Sequence, residues 1–246
     1  MSQKTKDLPP GAGDSRIVLQ PAEPLDWARV FGRSGPVELE IGSGKGLFLL
    51  AEAARRPETL FFGIERRTEP LRLCAARAEK RGLENVRAMK ADALEVLWGL
   101  VPPGSAEAVH VYYPDPWWKA RHRKRRVFNP EFITDVARAL AAGGKLKVAT
   151  DVGGYFEEIV AGVAASGLFD PVEAPPGEFG TPENPLTSYQ AKYLPLGRAI
   201  HGASFVRNAA VAQPTPPPRD RQRLARQRKR GKMTDMGESG LLPGPE

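Results

Sequence analysis

The chain has 246 residues, 41% of them hydrophobic, and its 36 Lys and Arg against 29 Asp and Glu give a formal net charge of +7. This length allows one α/β domain with its own core, and the positive charge favours a polyanionic partner, either nucleic acid or an anionic membrane surface. The single cysteine, Cys74, excludes an intramolecular disulfide and indicates a reducing compartment, so a cytoplasmic location is expected. The three scattered histidines predict no metal site, and the apolar runs predict neither a membrane span nor a signal peptide.

Three regions follow one another along the chain. Residues 1–34 mix Pro, Gly and charges and are predicted to form an arm and entry segment. In residues 35–208, strands are predicted at 37–41, 60–64, 86–90, 106–112, 145–149 and 200–206, and helices at 47–55, 69–81, 130–142 and 155–166. Their alternation predicts an α/β fold whose mostly parallel, doubly wound sheet carries helices on both faces. Residues 209–246 are Pro-rich and then Arg- and Lys-rich, which predicts a disordered basic tail.

A glycine turn follows the first predicted strand. Glu40, Gly42, Gly44 and Gly46 alternate with other residues where the strand passes into a helix, so the backbone there can approach a ligand closely. A P-loop would need Ser or Thr after Lys45, and a dinucleotide fingerprint would place its third glycine one residue later. The spacing fits the E-x-G-x-G-x-G turn that is typical of S-adenosylmethionine methyltransferases.

Acidic residues also stand at the ends of the next two predicted strands. Glu65 is placed to accept the hydroxyls of a ribose, and Asp92 to accept from an adenine amino group. Each acid alone is weak evidence, because strand ends often carry a solvated Asp. Together with Glu40 they are expected to ring the crevice where open α/β sheets bind ligands.

The fourth predicted strand runs into a rigid loop and then a cationic run. Two prolines flank Asp115, so the loop projects one carboxylate. Trp117 and Trp118 follow, either as packing residues or as stacking partners for a base. The next residues are Lys119, Arg121, His122, Arg123, Lys124, Arg125 and Arg126, with no acid among them. This position next to a loop with a projecting carboxylate favours phosphate binding over a simple solvated surface.

These motifs resemble those of a known family. Pro114-Asp115-Pro116-Trp117 with the basic run is similar to the signature of the tRNA (guanine-N7-)-methyltransferases. Further similar segments are Glu40-Ile41-Gly42 with Gly44 and Gly46, Gly63-Ile64-Glu65, Ala149-Thr150-Asp151, and Thr187-Ser188-Tyr189 with Lys192. The resemblance covers roughly residues 34–208.

The resemblance implies the class I methyltransferase fold with a seven-stranded sheet, S-adenosyl-L-methionine as cofactor, tRNA as substrate, and N7 of guanine 46 in the variable loop as the methylated atom. Asp115 is then the catalytic residue and also part of the cofactor set, with Glu40, Gly42, Gly44, Gly46, Glu65 and Asp92. The substrate set is Lys119, Arg121, Arg123, Lys124, Arg125, Arg126, Asp151, Thr187 and Gln190. Gln190 is a departure, because the family usually has Glu there and an amide carries no charge.

Other functions remain open at this point. An amino-methyltransferase would have a second proline directly after Asp115-Pro116, where this chain has Trp117. A non-catalytic RNA-binding protein on the same fold is another interpretation, which the intact acids disfavour and Gln190 favours weakly. A nicotinamide-dependent oxidoreductase is disfavoured by the glycine spacing. The sequence leaves open whether the protein is a monomer or a homodimer.

Overall fold

The computed structural model of the protein describes residues 15, 17–19, 23–181 and 183–215. The strands are β1 (Val18–Leu19), β2 (Val37–Ile41), β3 (Leu60–Glu65), β4 (Val86–Lys90), β5 (Ala106–Tyr112), β6 (Leu140–Thr150), β7 (Phe169–Val172) and β8 (His201–Arg207). The helices are α1 (Trp27–Phe31), α2 (Leu47–Arg55), α3 (Thr68–Lys80), α4 (Ala93–Gly99), α5 (Pro130–Ala139), α6 (Gly153–Ala165) and α7 (Ser188–Tyr193). Two 3-10 helices span Ala120–Arg125 and Leu194–Leu196.

All the described strands form one sheet in the order β1-β4-β3-β2-β5-β6-β8-β7. β8 runs antiparallel to both of its neighbours, and the other pairings are parallel. The prediction of a mostly parallel, doubly wound sheet is therefore confirmed. The sheet has eight strands rather than the seven expected, because residues 18–19 add a short edge strand beside β4.

Both faces of the sheet are covered, as the apolar strands predict. Phe61 and Phe62 are neighbours in β3 and both are fully buried, one on each face, because successive side chains of a strand point to opposite sides. Helices α2 and α3 pack on one face through Leu49 and Leu71. Helices α4, α5 and α6 contribute to the larger core on the other face.

Some elements differ from the prediction. The helix predicted to reach residue 142 ends at Ala139, because Leu140 already pairs with Ala106 as the first residue of β6. Helix α4 was not predicted, although Asp92 caps it and Glu95 lies three residues later, which is a helix-start signal. Cys74 is fully buried, as expected for a core residue.

The ends of the chain are described only in part. The predicted basic tail lies outside the described residues from position 216 onward. The predicted N-terminal arm is described only at residues 15, 17–19 and 23–34. No helix in the described residues is long and apolar enough to cross a membrane, and no group of acidic, His and Cys side chains among them is arranged to hold a metal ion.

Candidate functional site

The strand order places a topological switch point between β2 and β5. From β2 the chain moves outward through β3 to β4 and then returns to β5 on the other side of β2. Ile41 near the end of β2 lies beside Val111 near the end of β5. Ligands of open α/β sheets bind at such a point, beyond the carboxyl ends of the strands. The glycine loop after β2 and the Pro-Asp-Pro loop after β5 therefore flank the crevice that the fold predicts.

The glycine loop has a backbone that only glycine adopts readily. Gly42, Gly44 and Gly46 have φ angles of 76°, 54° and 75°. The Gly42 and Ser43 amides donate to Ile64 O at 2.8 and 3.2 Å, which ties the loop to β3. A Cβ atom on Gly42 would meet nothing within 4 Å, whereas one on Gly46 would overlap the Cys74 sulfur. The loop is thus packed against α3 at one end and open at the other, where a ligand can approach.

Glu40 is a buried acid below this loop. Its Oε2 atom has no hydrogen-bond partner in the described structure. Burial, followed by repulsion from Glu65, raises the pKa of Glu40 well above its ordinary value, although the Leu49 amide opposes the shift. An uncompensated buried acceptor at a ligand-binding edge fits a cationic group of a ligand.

Two further acids predicted for the cofactor, Glu65 and Asp92, accept hydrogen bonds from the chain's own backbone. Glu65 accepts from the Gly44 amide at 2.9 Å and from the Arg67 amide at 2.8 Å, so it fixes the glycine loop. A carboxylate can accept about four hydrogen bonds, which leaves it acceptor capacity for a ligand. Asp92 caps α4 through the Leu94 amide at 3.0 Å. Both acids lie at the predicted edge, and each also has a structural role.

The Pro-Asp-Pro loop is held in a strained conformation. Tyr113 and Trp117 on either side of it have φ angles of 52° and 45°, and they are the non-glycine residues with positive φ in the described chain. Such residues cost free energy and persist only where surrounding contacts hold them, often at functional sites. Tyr113 donates its amide to Ala149 O at 2.7 Å, and its ring stacks on Tyr189. The loop presents an exposed Asp115 at the switch point.

The basic run after the loop divides into a buried latch and an exposed cationic surface. Arg126 is only 9% exposed, donates to Pro116 O at 2.7 Å, pairs with Glu158, and lies over the Tyr155 ring. Arg126 therefore fastens the Pro-Asp-Pro loop to α6. The exposed residues, which we call the cationic surface, are Lys119, Arg121, Arg123, Lys124 and Arg125.

The late motif packs against the start of the Pro-Asp-Pro loop. Thr187 caps α7 through the Gln190 amide. Asp151, with a side chain 7% exposed, accepts from Tyr189 Oη at 2.9 Å and from Arg198 at 2.6 Å. Since Tyr189 also stacks on Tyr113, α7 is joined to the end of β6 and to the start of the Pro-Asp-Pro loop. The structure thus brings the predicted residues Asp151 and Thr187 close to the loop that carries Asp115.

Gln190 is buried and holds neighbouring backbone. Its side-chain oxygen accepts from the Leu186 amide at 2.6 Å, and its side-chain nitrogen donates to the Phe179 carbonyl. A carboxylate could replace only the first of these contacts, because an ionised Glu has no proton to donate. The amide in this chain is therefore explained by the fold around it.

A buried charged cluster between β2, β5 and the end of α2 was missed by sequence reasoning. Glu38 accepts from both terminal nitrogens of Arg56 at 2.6 and 2.8 Å, and His110 lies 2.8 Å from it. Burial alone would raise the pKa of Glu38, but Arg56 and His110 hold it well below its usual range. The other ring nitrogen of His110 lies 3.0 Å from the Tyr112 hydroxyl. Alternation along β2 and β5 places these side chains on one face, but nothing local in the sequence pairs them.

Comparisons with known proteins define the class. The family model Methyltransf_4, described as "Putative methyltransferase", matches residues 34–203. The 16S rRNA methyltransferase KamB has a similar fold, with a TM-score of 0.55 and 18% identity over 78% of this chain and 99% of that one. A 16S rRNA (adenine(1408)-N(1))-methyltransferase from Catenulisporales acidiphilia, solved with its cosubstrate SAM, gives a TM-score of 0.52 at 17% identity over 80% and 95%. The family model and the shared fold together define this chain as an α/β methyltransferase.

Sequence relatives narrow the class to one family. The tRNA (guanine-N(7)-)-methyltransferase of Sodalis glossinidius is 38% identical over 76% of this chain and 78% of its own. That of Klebsiella pneumoniae is 38% identical over 75% and 77%. The chain belongs to the tRNA (guanine-N(7)-)-methyltransferase family.

Proposed function

We propose that this protein transfers the methyl group of S-adenosyl-L-methionine to N7 of a guanine in tRNA, with guanine 46 of the variable loop as the expected target. One observation carries the proposal: the open glycine loop and the strained loop bearing Asp115 lie side by side at the switch point. The relatives' names give the reaction, and the cationic surface gives the site a polyanion-binding flank.

The residues present fit the cofactor. When bound, S-adenosyl-L-methionine supplies an electrophilic methyl group on a sulfonium. The open space over Gly42 lets a ligand lie against the backbone. The unpartnered oxygen of Glu40 is suited to accept a hydrogen bond from the ammonium group of the methionine part. Glu65 and Asp92 have acceptor capacity for the ribose and the adenine amino group.

The substrate side needs orientation rather than a strong base. N7 of guanine has an in-plane lone pair and carries no proton at neutral pH. Asp115 accepts hydrogen bonds from the guanine edge and stabilises the positive charge that develops on the purine. Asp151 and Lys119 position the nucleotide, and the cationic surface contacts phosphates.

The test is a methylation assay with nucleoside identification. Purified protein is incubated with labelled cofactor and an unmodified tRNA transcript, and the digested product is expected to contain labelled 7-methylguanosine. A matched transcript with adenine at position 46 should accept no label. A different methylated nucleoside would contradict the proposed target atom, and equal labelling of both transcripts would contradict the proposed position.

A further inference from the structure

The two adjacent tryptophans after the Pro-Asp-Pro loop have different surroundings. Trp117 is partly buried, with the Arg125 guanidinium 4.9 Å above its ring and His122 against it edge to face at 5.8 Å. Trp118 is 65% exposed. It has no ring stacking or cation–π partner in the part of the chain that the structure describes. The loop therefore uses one tryptophan for its own packing and directs the other to solvent.

An exposed tryptophan is unusual on this protein. Trp118 and Leu196 are the two large hydrophobic side chains that the described residues leave exposed. Leaving an indole in water forfeits the free energy of its burial, and an exposed ring beside a cationic surface is free to stack on a ligand that the cations attract. The positive φ of Trp117, directly before Trp118, is strained for an L-residue.

The charges around Trp118 identify its ligand. The stretch from Pro116 to Pro130 contains no acid, and Lys119, Arg121 and Lys124 are exposed in it. Cations that bind phosphates next to an aromatic face form the combination that proteins use for unpaired nucleotides, where each base stacks on the ring. A base inside a duplex is already stacked on both sides and cannot use such a ring.

We propose that Trp118 is a stacking platform for an unpaired nucleobase of the RNA substrate, while Trp117 is part of the loop's scaffold. The proposal rests on the proposed function in that it takes RNA as the substrate. It adds a base-contacting subsite outside the residues assigned to the cofactor and to the phosphates. Its contribution is independent of salt, unlike that of the cationic surface.

The test compares Trp118→Ala, Trp118→Phe and Lys124→Ala in the full-length protein. Two probes are used, an unmodified tRNA transcript and a blunt RNA duplex of equal length. We expect Trp118→Ala to weaken binding of the transcript by roughly 5- to 100-fold with an unchanged salt slope, to leave duplex binding unchanged, and to be largely rescued by Trp118→Phe. Lys124→Ala should weaken both probes and lower the salt slope by about 0.7–0.9. The midpoint of denaturant unfolding should be unchanged in Trp118→Ala.

Several outcomes would overturn the proposal: transcript binding unaffected by Trp118→Ala, an equal loss for duplex and transcript, or a Phe variant as weak as the Ala variant. Anionic lipid vesicles are a third probe: if Trp118→Ala loses binding to them while its tRNA binding is unchanged, the proposal is overturned and the ring is assigned to a membrane contact. Nucleoside analysis of the wild type separates this proposal from the proposed function. If 7-methylguanosine forms and Trp118→Ala binds normally, only the stacking proposal fails. If none forms and binding still depends on Trp118, only the methylation proposal fails.

Discussion

The loops after β2 and β5 leave neighbouring parallel strands at the same edge, yet they reach unusual backbone conformations by different means. The β2 loop uses glycines, for which positive φ is inexpensive. The β5 loop uses Tyr113 and Trp117, for which positive φ is costly, and tertiary contacts hold it in place. A loop that must lie under a ligand needs bare backbone, whereas a loop that must present a side chain can use bulky residues if other elements fix them.

Gly46→Ala is expected to have the largest effect and tests whether the first loop depends on glycine. A methyl group there would overlap the Cys74 sulfur and face a φ of 75°, so the free energy of unfolding should fall by about 2–5 kcal/mol. Gly42→Ala is the matched control, since it has a φ of 76° but open space around the added carbon, and it should cost only about 1–2 kcal/mol. Equal costs in chemical denaturation would show that packing against α3 is not what distinguishes the two positions.

Asp115→Ala tests whether the second loop exists to present a carboxylate. We expect kcat for tRNA methylation to fall about 100-fold, with little change in cofactor affinity by calorimetry, because the group orients and stabilises the reacting purine. Asp170→Ala, which removes an exposed acid from β7, should keep full activity. Wild-type turnover in the Asp115 variant would exclude this residue from catalysis.

Arg126→Ala tests whether the second loop is held from outside. Loss of the charged hydrogen bond to Pro116 O and of the contacts with Glu158 and the Tyr155 ring should lower the free energy of unfolding by about 1.5–3 kcal/mol and reduce kcat. Lys124→Ala in the exposed part of the same run should leave stability within about 0.5 kcal/mol of the wild type. If the two variants are equally stable, the division into latch and cationic surface is wrong.

Glu40→Gln gives the smallest expected effect, a change in how stability depends on pH, and it tests the buried acid beside the glycine loop. Because burial raises the folded-state pKa of Glu40, the unfolded chain releases its proton first, near the ordinary value of 4.5. The stability that this proton contributes is therefore complete below that pH and is lost as pH rises through the folded pKa. The unfolding free energy of the wild type minus that of Glu40→Gln should fall with rising pH, by at most about 1.4 kcal/mol per pH unit. A difference that rises with pH would contradict a raised pKa.

Much of the site could be placed from the sequence because strand ends are local signals. A strand pattern that stops at Ile41 or Tyr112 and passes into glycines or prolines marks the carboxyl end of a strand, and parallel strands collect those ends at one edge. The same reasoning could not see α7, which is one short helix capped by Thr187 and held by contacts to Phe179 and Asp151. It also missed the cluster of Glu38, Arg56 and His110, whose members come together only through the pairing of β2 with β5 and the packing of α2 on the sheet.

By itself, the sequence determined the fold class and which loops follow the carboxyl ends of the central strands, because periodicity, glycine spacing and proline positions act over a few residues. Only the tertiary structure decided which of two residues of the same type is buried in the scaffold and which is exposed for a ligand. Arg126 is a latch and Arg125 a surface cation because Glu158 and Tyr155 reach only the former from α6. Trp117 packs against Arg125, whereas Trp118 is exposed. Gln190 accepts from the Leu186 amide and donates to the Phe179 carbonyl. Burial and pairing depend on partners far away in the chain, and no local pattern records them.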